Sequence, residues 1–452
     1  MSVVRTLKTG ISGVRGVVGD SLTPQLLIGF AQAFGTYVEG GLVMIGRDTR
    51  PSGEMVLKAL TGGLLATGCE IIDLGVCPVP TAQMAIRDSM ADGGIVISAS
   101  HNPQEWNALK FIRHDGICLY PHQIEELLSV YYQGNFSLVG NDDIRGVRYD
   151  DRAIDRHISA VMDVADVDAI RDAGLRVVVD CCNGAGSVMT EAFLEGLGCE
   201  TIAINNAPTG IFPHPPEPDP ENLLQLEDAV QEHGADIGFA QDADADRLAI
   251  VSEKGSAIGE EYTLTFACDA IGASITGPIV TNLSTSRMID DVAARYGLQV
   301  YRTPVGEINV IQGMQARDAE IGGEGNGGVI LPRVQYCRDN FTAMTLILGG
   351  LARRRGTVTD WAETFSPSAI AKERVECPSS RVQPALLGLR EEYADLQLDL
   401  TEGVRVTWDD DSWLHVRASN TEPILRVIAE ASTPQAAKQK TAHARQTLRK
   451  HI

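Results

Sequence analysis

The sequence predicts an α/β protein: three tandem βαβ-repeat domains with mixed sheets, then a C-terminal α+β domain, arranged around a central cleft. Three observations predict it. Short apolar runs alternate with helical patterns of roughly ten to fifteen residues, the signature of parallel βαβ units. Two of the segments share one helix-to-strand corner, Gly68-Cys69-Glu70 and Gly198-Cys199-Glu200. After about Ser366 the alternation gives way to adjacent strands and one closing helix.

In the first segment the strand "LVMIG" leads through "RDTRPSGE" into the helix "MVLKALTGGLLATG". The strand "CEIIDLG", a second helix and the strand "GGIVIS" follow. In the second, "LRVVVDCCNGAG" is followed by "SVMTEAFLEGLG", "CETIAIN", "LLQLEDAVQEHG" and "ADIGFAQ". In the third, "GPIVTNLSTS" opens a series that closes on "DAEIGGEGNGG". The tail pairs "VRVTWDDDSWLHVRASN" with "PILRVIAEA" and ends in a helix that is basic near its end, as the helix dipole favours. Expected domains are 1–150, 151–255, 256–368 and 369–452. Ligands of open α/β sheets sit beyond the C-terminal ends of strands. The third strands of the repeats end there in "SASHNP", "QDADADR" and "GGEGNGG", which suggests three walls of one cleft.

Bulk properties narrow the function. With 452 residues, 44% apolar, the chain has ample core for three or four domains. A net charge of −22 repels nucleic-acid phosphates and anionic lipid, so neither nucleic acid nor membrane is the expected partner. Nine cysteines, without a CxxC pair, fit a reducing compartment. No signal-peptide-like h-region or long apolar run occurs, and the expected location is cytoplasmic. The expected assembly is a monomer or homodimer.

The loops carry the candidate chemistry. In an extended "DADADR", residues two apart face one side, so Asp242, Asp244 and Asp246 would crowd unless a cation lies between them. Hard oxygen ligands suit Mg²⁺. An EF-hand fails because Arg247 stands at the glycine position, and a DxDxT phosphatase fails because Asp246 replaces the threonine. "GGEGNGG" contains GxGxxG, but "VILP" follows where a dinucleotide site needs a helix. Glu324 and Asn326 there suit sugar hydroxyls, or the loop is a hairpin tip. "RASNTEP" offers Arg417, Ser419, Asn420 and Thr421, with Arg426 nearby, as a phosphate cradle or simply an ordered turn.

Arg15 sits between glycines in "GISGVRG", facing an anion or forming a surface turn. Arg47, Asp48 and Arg50 read as a salt-bridged strand end. Ser98 and Ser100 are both candidate nucleophiles, and a serine hydroxyl needs a base or metal to act. Lys110 could move protons if an electropositive cleft lowered its pKa; otherwise it is a surface lysine. His101 suggests a dyad with Ser100, yet neighbours in an extended turn point apart, so His101 is expected to orient the loop.

In order along the whole chain, these loops resemble the α-D-phosphohexomutases, a family that includes phosphoglucomutase, phosphomannomutase and phosphoglucosamine mutase. "SASHNP" resembles the phosphoserine loop, "DADADR" the Mg²⁺ loop, "GGEGNGG" the sugar loop and "RASNTEPILR" the phosphate loop. The resemblance implies phosphorylation of Ser100 and one Mg²⁺ per subunit on Asp242, Asp244, Asp246 and a phosphoserine oxygen. It places Arg15 and Lys110 in acid/base and charge-stabilising roles, matches Arg247 to the catalytic-site arginine that follows the triad, and sets Glu324 and Asn326 on sugar hydroxyls. Arg417, Ser419, Asn420, Thr421 and Arg426 take a phosphate.

The implied reaction shuttles a phosphoryl group between hexose 6-phosphate and hexose 1-phosphate through a bisphosphate, with hexose 1,6-bisphosphate as activator and a hinged fourth domain. Three positions depart from the family: Gly10-Ile11 lacks a threonine hydroxyl, Ala108 replaces a glycine, and Asn326 and Gly328 replace the "SGH" serine and histidine. The "GEGNGG" form leans to glucosamine phosphate or to broad hexose specificity. A non-catalytic sugar-phosphate sensor and a hydrolase using the same phosphoserine are the rival readings. Ser100→Ala is expected to remove nearly all activity and Ser98→Ala to leave most of it.

Overall fold

A computed structural model describes residues 7–10, 13–419 and 423–452. The chain packs as two compact units, Met1–Thr263 with Gly327–Val358, and Leu264–Asn326 with Thr359–Ile452. The segment 256–368 therefore contributes to both.

In the first unit a seven-stranded sheet runs in the order Lys8–Gly10, Gly13–Val17, Trp106–Arg113, Gly93–Ile97, Leu42–Arg47, Glu70–Val76, Val147–Tyr149. The last four are parallel, while Trp106–Arg113 returns antiparallel beside Gly93–Ile97. Residues 98–105 are too few for a parallel crossover, which needs about a dozen, so this loop must close a hairpin. Every residue of Gly93–Ile97 is buried because both sheet faces are covered. On one face Ile95 and Ile97 pack with helices Pro24–Tyr37 and Gly53–Ala66. On the other, Val96 and Met44 pack with helix Val79–Arg87. Phe34 and Phe111, with ring centroids 5.2 Å apart, anchor the first face, and burying each ring contributes about 2 kcal/mol.

The second sheet repeats this plan. Its order is Leu248–Ser252, Ile237–Gln241, Arg176–Asp180, Glu200–Ile204. Ile237–Gln241 runs parallel to Arg176–Asp180, and Leu248–Ser252 returns antiparallel. The serine loop and the aspartate loop thus occupy equivalent places: each joins the C-terminal end of a parallel strand to an antiparallel return. The helix expected from "SVMTEAFLEGLG" is divided into a 3₁₀ turn, Ala185–Val188, and Thr190–Gly196, because Met189 leaves the helical region at φ −137°. Helix Asn340–Arg354 completes this unit, capped by Asp339, whose carboxylate accepts the Phe341 amide.

In the second unit, Val300–Thr303, Ile279–Asn282 and Ile321–Glu324 form parallel strands. A five-stranded antiparallel sheet follows, in the order Ala369–Glu376, Ile424–Ala431, Trp413–Ala418, Val404–Thr407, Gln397–Asp399. Leu425, Val427 and Ala429 face helices Val382–Glu392 and Pro434–Arg449, so Arg426 and Ile428, alternating with them, face the opposite side. The acidic turn between the strands Val404–Thr407 and Trp413–Ala418 is closed by Asp411 in the left-handed region, φ +60°. Among the described residues no helix is long and apolar enough to cross a membrane.

Candidate active site

Ser100 has φ +50°, a left-handed conformation that costs a non-glycine residue about 1 kcal/mol. The twist brings the Ser100 hydroxyl to the aspartate loop, where Oγ donates to Asp242 Oδ2 at 2.9 Å. Ser98, fully buried, joins the same two loops: its Oγ donates to Asp244 Oδ2 at 2.8 Å and accepts the Ser100 amide at 2.9 Å.

The aspartate loop is a turn and not the extended segment expected. Ala245 has φ +58°, and Asp242 Oδ1 accepts the amides of Asp246 and Arg247 at 3.1 and 3.2 Å. The three carboxylates converge through this turn, with one oxygen from each within 4.8 Å of the others. All three are buried. Burial and the neighbouring Asp244 and Asp246 push the Asp242 pKa well above the ordinary carboxylate range. Burial would raise Asp244 too, but Lys110 and Ser98 outweigh it and hold Asp244 low. Asp244 Oδ1 and Asp246 Oδ1 are buried and have no hydrogen-bond partner among the described residues. Such oxygens suit a hard divalent cation, so the residues present fit Mg²⁺.

Lys110 corrects the sequence reading. It lies on Trp106–Arg113, buried, with Nζ 2.7 Å from Asp244 Oδ2 and 3.7 Å from Asp246 Oδ2. Burial alone would lower its pKa, but these two carboxylates raise it above the ordinary lysine value. Its surroundings are electronegative, and it is a counter-charge to the triad. Arg15, on Gly13–Val17, donates to Asn102 Oδ1 at 2.5 Å. Burial lowers the Arg15 pKa, with Asp244 opposing. Arg247 Nε lies 3.8 Å from Asp246 Oδ1, and its Nη1 3.7 Å from Glu217 Oε1.

His101 departs from expectation as well. Because the turn at Ser100 is left-handed and not extended, the adjacent side chains converge, with His101 Nδ1 3.4 Å from Ser100 Oγ. Burial, with Arg247 and Arg15 nearby, holds its pKa well below the ordinary value, so the ring is neutral at pH 7.

Sequence reading missed Arg338. Its Nη2 donates to Asp246 Oδ2 at 2.7 Å from the turn before helix Asn340–Arg354. No local pattern marks it, because its partner lies 92 residues away. Ser98 enters the sequence reading only as an alternative nucleophile and Arg50 only as part of a salt-bridged strand end; neither reading contains the bonds that tie them to the serine loop.

In the second unit, Glu324 ends Ile321–Glu324, and its Oε1 accepts Asn282 Nδ2 and the Gly306 amide, both at 2.9 Å. Asn326 Oδ1 is buried with no hydrogen-bond partner among the described residues, an acceptor ready for a hydroxyl. Arg417 and Arg426 are directly opposed in register, and Arg374 faces Arg426 from its other side. Like charges across a ladder repel, and a bound anion removes that cost. Arg417 Nη1 also lies 3.6 Å from Glu402 Oε1. The Ser419 amide donates to the Ile424 carbonyl at 3.0 Å. Asn420 and Thr421 lie outside the described residues, as does Ile11.

A serine hydroxyl held against converging carboxylates, with cations behind them, is the equipment of a phosphoryl-transfer enzyme. Family models for the phosphoglucomutase/phosphomannomutase α/β/α domains I, II and III match residues 6–137, 155–255 and 259–368, and the C-terminal domain model matches 374–446. A probable phosphoglucosamine mutase of Methanopyrus kandleri is 36% identical over 437 residues, covering 95% of each chain. A phosphoglucomutase/phosphomannomutase of Thermococcus kodakarensis is 36% identical over 439 residues, covering 95% of this chain and 96% of that one. In fold, the chain is similar to a phosphoglucomutase/phosphomannomutase family protein of Burkholderia thailandensis, with TM-score 0.86, 24% identity, and 97% and 96% of the two chains covered. The chain belongs to the phosphoglucomutase/phosphomannomutase family and is a phosphohexomutase, an isomerase of the phosphotransferring kind.

Proposed function

We propose that the protein interconverts hexose 6-phosphate and hexose 1-phosphate through phospho-Ser100 and a bisphosphorylated sugar. The preferred direction of reading is glucosamine 6-phosphate to glucosamine 1-phosphate. The observation that carries the reading is the Ser100 hydroxyl at 2.9 Å from Asp242 within the converged triad. A sugar hydroxyl attacks the phosphorus of phospho-Ser100, the P–Oγ bond breaks, and the hydroxyl proton leaves to a nearby base. The sugar, now a bisphosphate, turns over; Ser100 Oγ attacks the other phosphorus, and the second sugar oxygen takes up a proton. Asp242, Asp244 and Asp246 would hold Mg²⁺, which when bound offsets charge on the transferring phosphoryl group. Arg15, Arg247 and Lys110 supply fixed positive charge to the phosphoserine loop. Hexose 1,6-bisphosphate would serve as activator by loading Ser100.

Glu324 and Asn326 take sugar hydroxyls in this reading, and Arg417, Ser419, Asn420, Thr421 and Arg426 hold the phosphate that is not being transferred. Broad phosphomannomutase/phosphoglucomutase specificity is the second reading. It has support because relatives bearing either name are equally similar, both 36% identical. A coupled assay with Mg²⁺, a trace of hexose 1,6-bisphosphate and the glucosamine, glucose and mannose 6-phosphates tests both. Highest kcat/KM on glucosamine 6-phosphate supports the first reading, comparable values support the second, and no turnover on any of the three overturns the proposal.

A further inference from the structure

Arg50 is buried beneath the serine loop, 1% exposed. Its Nη2 donates to the carbonyls of Ser100 and Asn102 at 2.6 and 2.7 Å. Its Nη1 donates to those of Pro103 and Trp106 at 2.7 and 3.1 Å. Its Nε donates to Asp48 Oδ2 at 3.1 Å. A guanidinium has five N–H donors, and these bonds use all five. Arg50 therefore has nothing left to offer a substrate. Its donors converge on three carbonyls of the serine loop, including that of the left-handed Ser100, and on the first carbonyl of the return strand.

The same turn is tied to the second sheet. Thr49 Oγ1 donates to the Asn183 carbonyl at 2.8 Å. Asn183, itself left-handed at φ +50°, accepts the Gly210 amide at 3.1 Å on that carbonyl. Gly210 has φ +63°, and a Cβ there would collide with the Thr49 carbonyl oxygen. Phe212 covers the guanidinium, its ring centroid 4.9 Å from Arg50 Cζ. The Asp48–Arg50 segment thus grips the serine loop with Arg50 and the aspartate-bearing sheet's loops with Thr49.

We infer that Arg50 is a positioning residue for phosphoryl transfer: by pinning three carbonyls of the serine loop and that of Trp106, where the return strand begins, it holds Ser100 Oγ against Asp242. The inference rests on the reading of Ser100 as the phosphoryl carrier. Loss of this grip leaves the sugar and phosphate contacts untouched and misplaces the reacting oxygen, so kcat falls while KM stays.

Arg50→Lys tests it. The ammonium keeps the charge beside Asp48 but has three donors radiating from one point, which cannot serve the same carbonyls. The expected result is kcat down by at least about thirtyfold, KM within about threefold, and an equal slowing of Ser100 phosphorylation by hexose 1,6-bisphosphate. Because a lysine that sits poorly against the buried Asp48 is itself destabilising, the Asp48→Asn/Arg50→Met pair, which removes both charges, is measured alongside. Either variant folding with a wild-type thermal midpoint and a kcat within about threefold overturns the inference and leaves the proposed function standing. Failure of both to fold also overturns it, making Arg50 a folding residue. A wild-type protein that accepts no phosphoryl group from the bisphosphate overturns the proposed function, and the inference with it.

Discussion

The Ser98 hydroxyl is a bridge: it donates to Asp244 Oδ2 at 2.8 Å and in the same position accepts the amide of Ser100 at 2.9 Å. One buried oxygen therefore orients both a candidate metal ligand and the backbone of the candidate nucleophile. The serine that the sequence treats as dispensable is placed between the candidate nucleophile and a candidate metal ligand.

Ser98→Ala strips a buried carboxylate oxygen and a buried amide of one partner each, a loss of about 1–3 kcal/mol. Felt in the transition state, that is a fall in kcat of about fivefold to 150-fold, still well short of the loss expected for Ser100→Ala. Steady-state kinetics of both variants check it. A Ser98→Ala enzyme with wild-type kcat would show that the bridge is idle.

The buried triad predicts a thermal response to metal. Three carboxylates within 4.8 Å repel one another, so a cation that binds the folded chain stabilises it by mass action. At Mg²⁺ about a hundredfold above its Kd, the gain is about 3 kcal/mol, read as a rise in thermal midpoint that EDTA reverses. Asp244→Asn is expected to blunt the rise, and calorimetric titration of Mg²⁺ into both proteins checks the stoichiometry of one.

His415 predicts an acid-sensitive second unit. Its Nε2 lies 2.8 Å from the Glu402 carbonyl, which can only accept, so that nitrogen carries the proton and Nδ1 accepts from Ser284 Oγ at 2.8 Å. Burial, with Arg417 and Arg405 nearby and the Glu402 bond opposing, lowers its pKa from 6.5 to about 4. The unfolded chain therefore takes up the proton first. Stability is intact above about pH 6.5 and is lost as the pH falls toward 4, by about 3 kcal/mol in all. Urea unfolding between neutral pH and pH 4 measures it, and His415→Gln is expected to flatten this part of the pH dependence.

What the sequence makes legible follows from how local each feature is. The alternation of apolar strands with amphipathic helices depends on neighbours in the chain, so the strands and the strand-end places of "SASHNP" and "DADADR" are readable. Backbone twist is not: nothing in the letters states that Ser100 and Ala245 turn left-handed, and both the proximity of His101 and the convergence of the aspartates follow from those turns. Partners far along the chain are equally hidden. Arg338 reaches Asp246, and Lys110 reaches Asp244 across 134 residues, which makes a lysine open to a proton-transfer or a plain surface reading into a buried counter-charge. Arg50 reads from the sequence as part of a salt-bridged strand end, and its hold on the carbonyls of Ser100, Asn102, Pro103 and Trp106 does not.

The central claim, that Ser100 carries the phosphoryl group between the two ends of a sugar, is tested most directly by intact-mass and peptide mapping of the protein after exposure to hexose 1,6-bisphosphate and Mg²⁺. The predicted result is one added phosphoryl group, located on Ser100, discharged by excess hexose monophosphate at a rate that matches isomerisation, and absent from Ser100→Ala. A phosphoryl group on Ser98, or isomerisation that persists in Ser100→Ala, would contradict it.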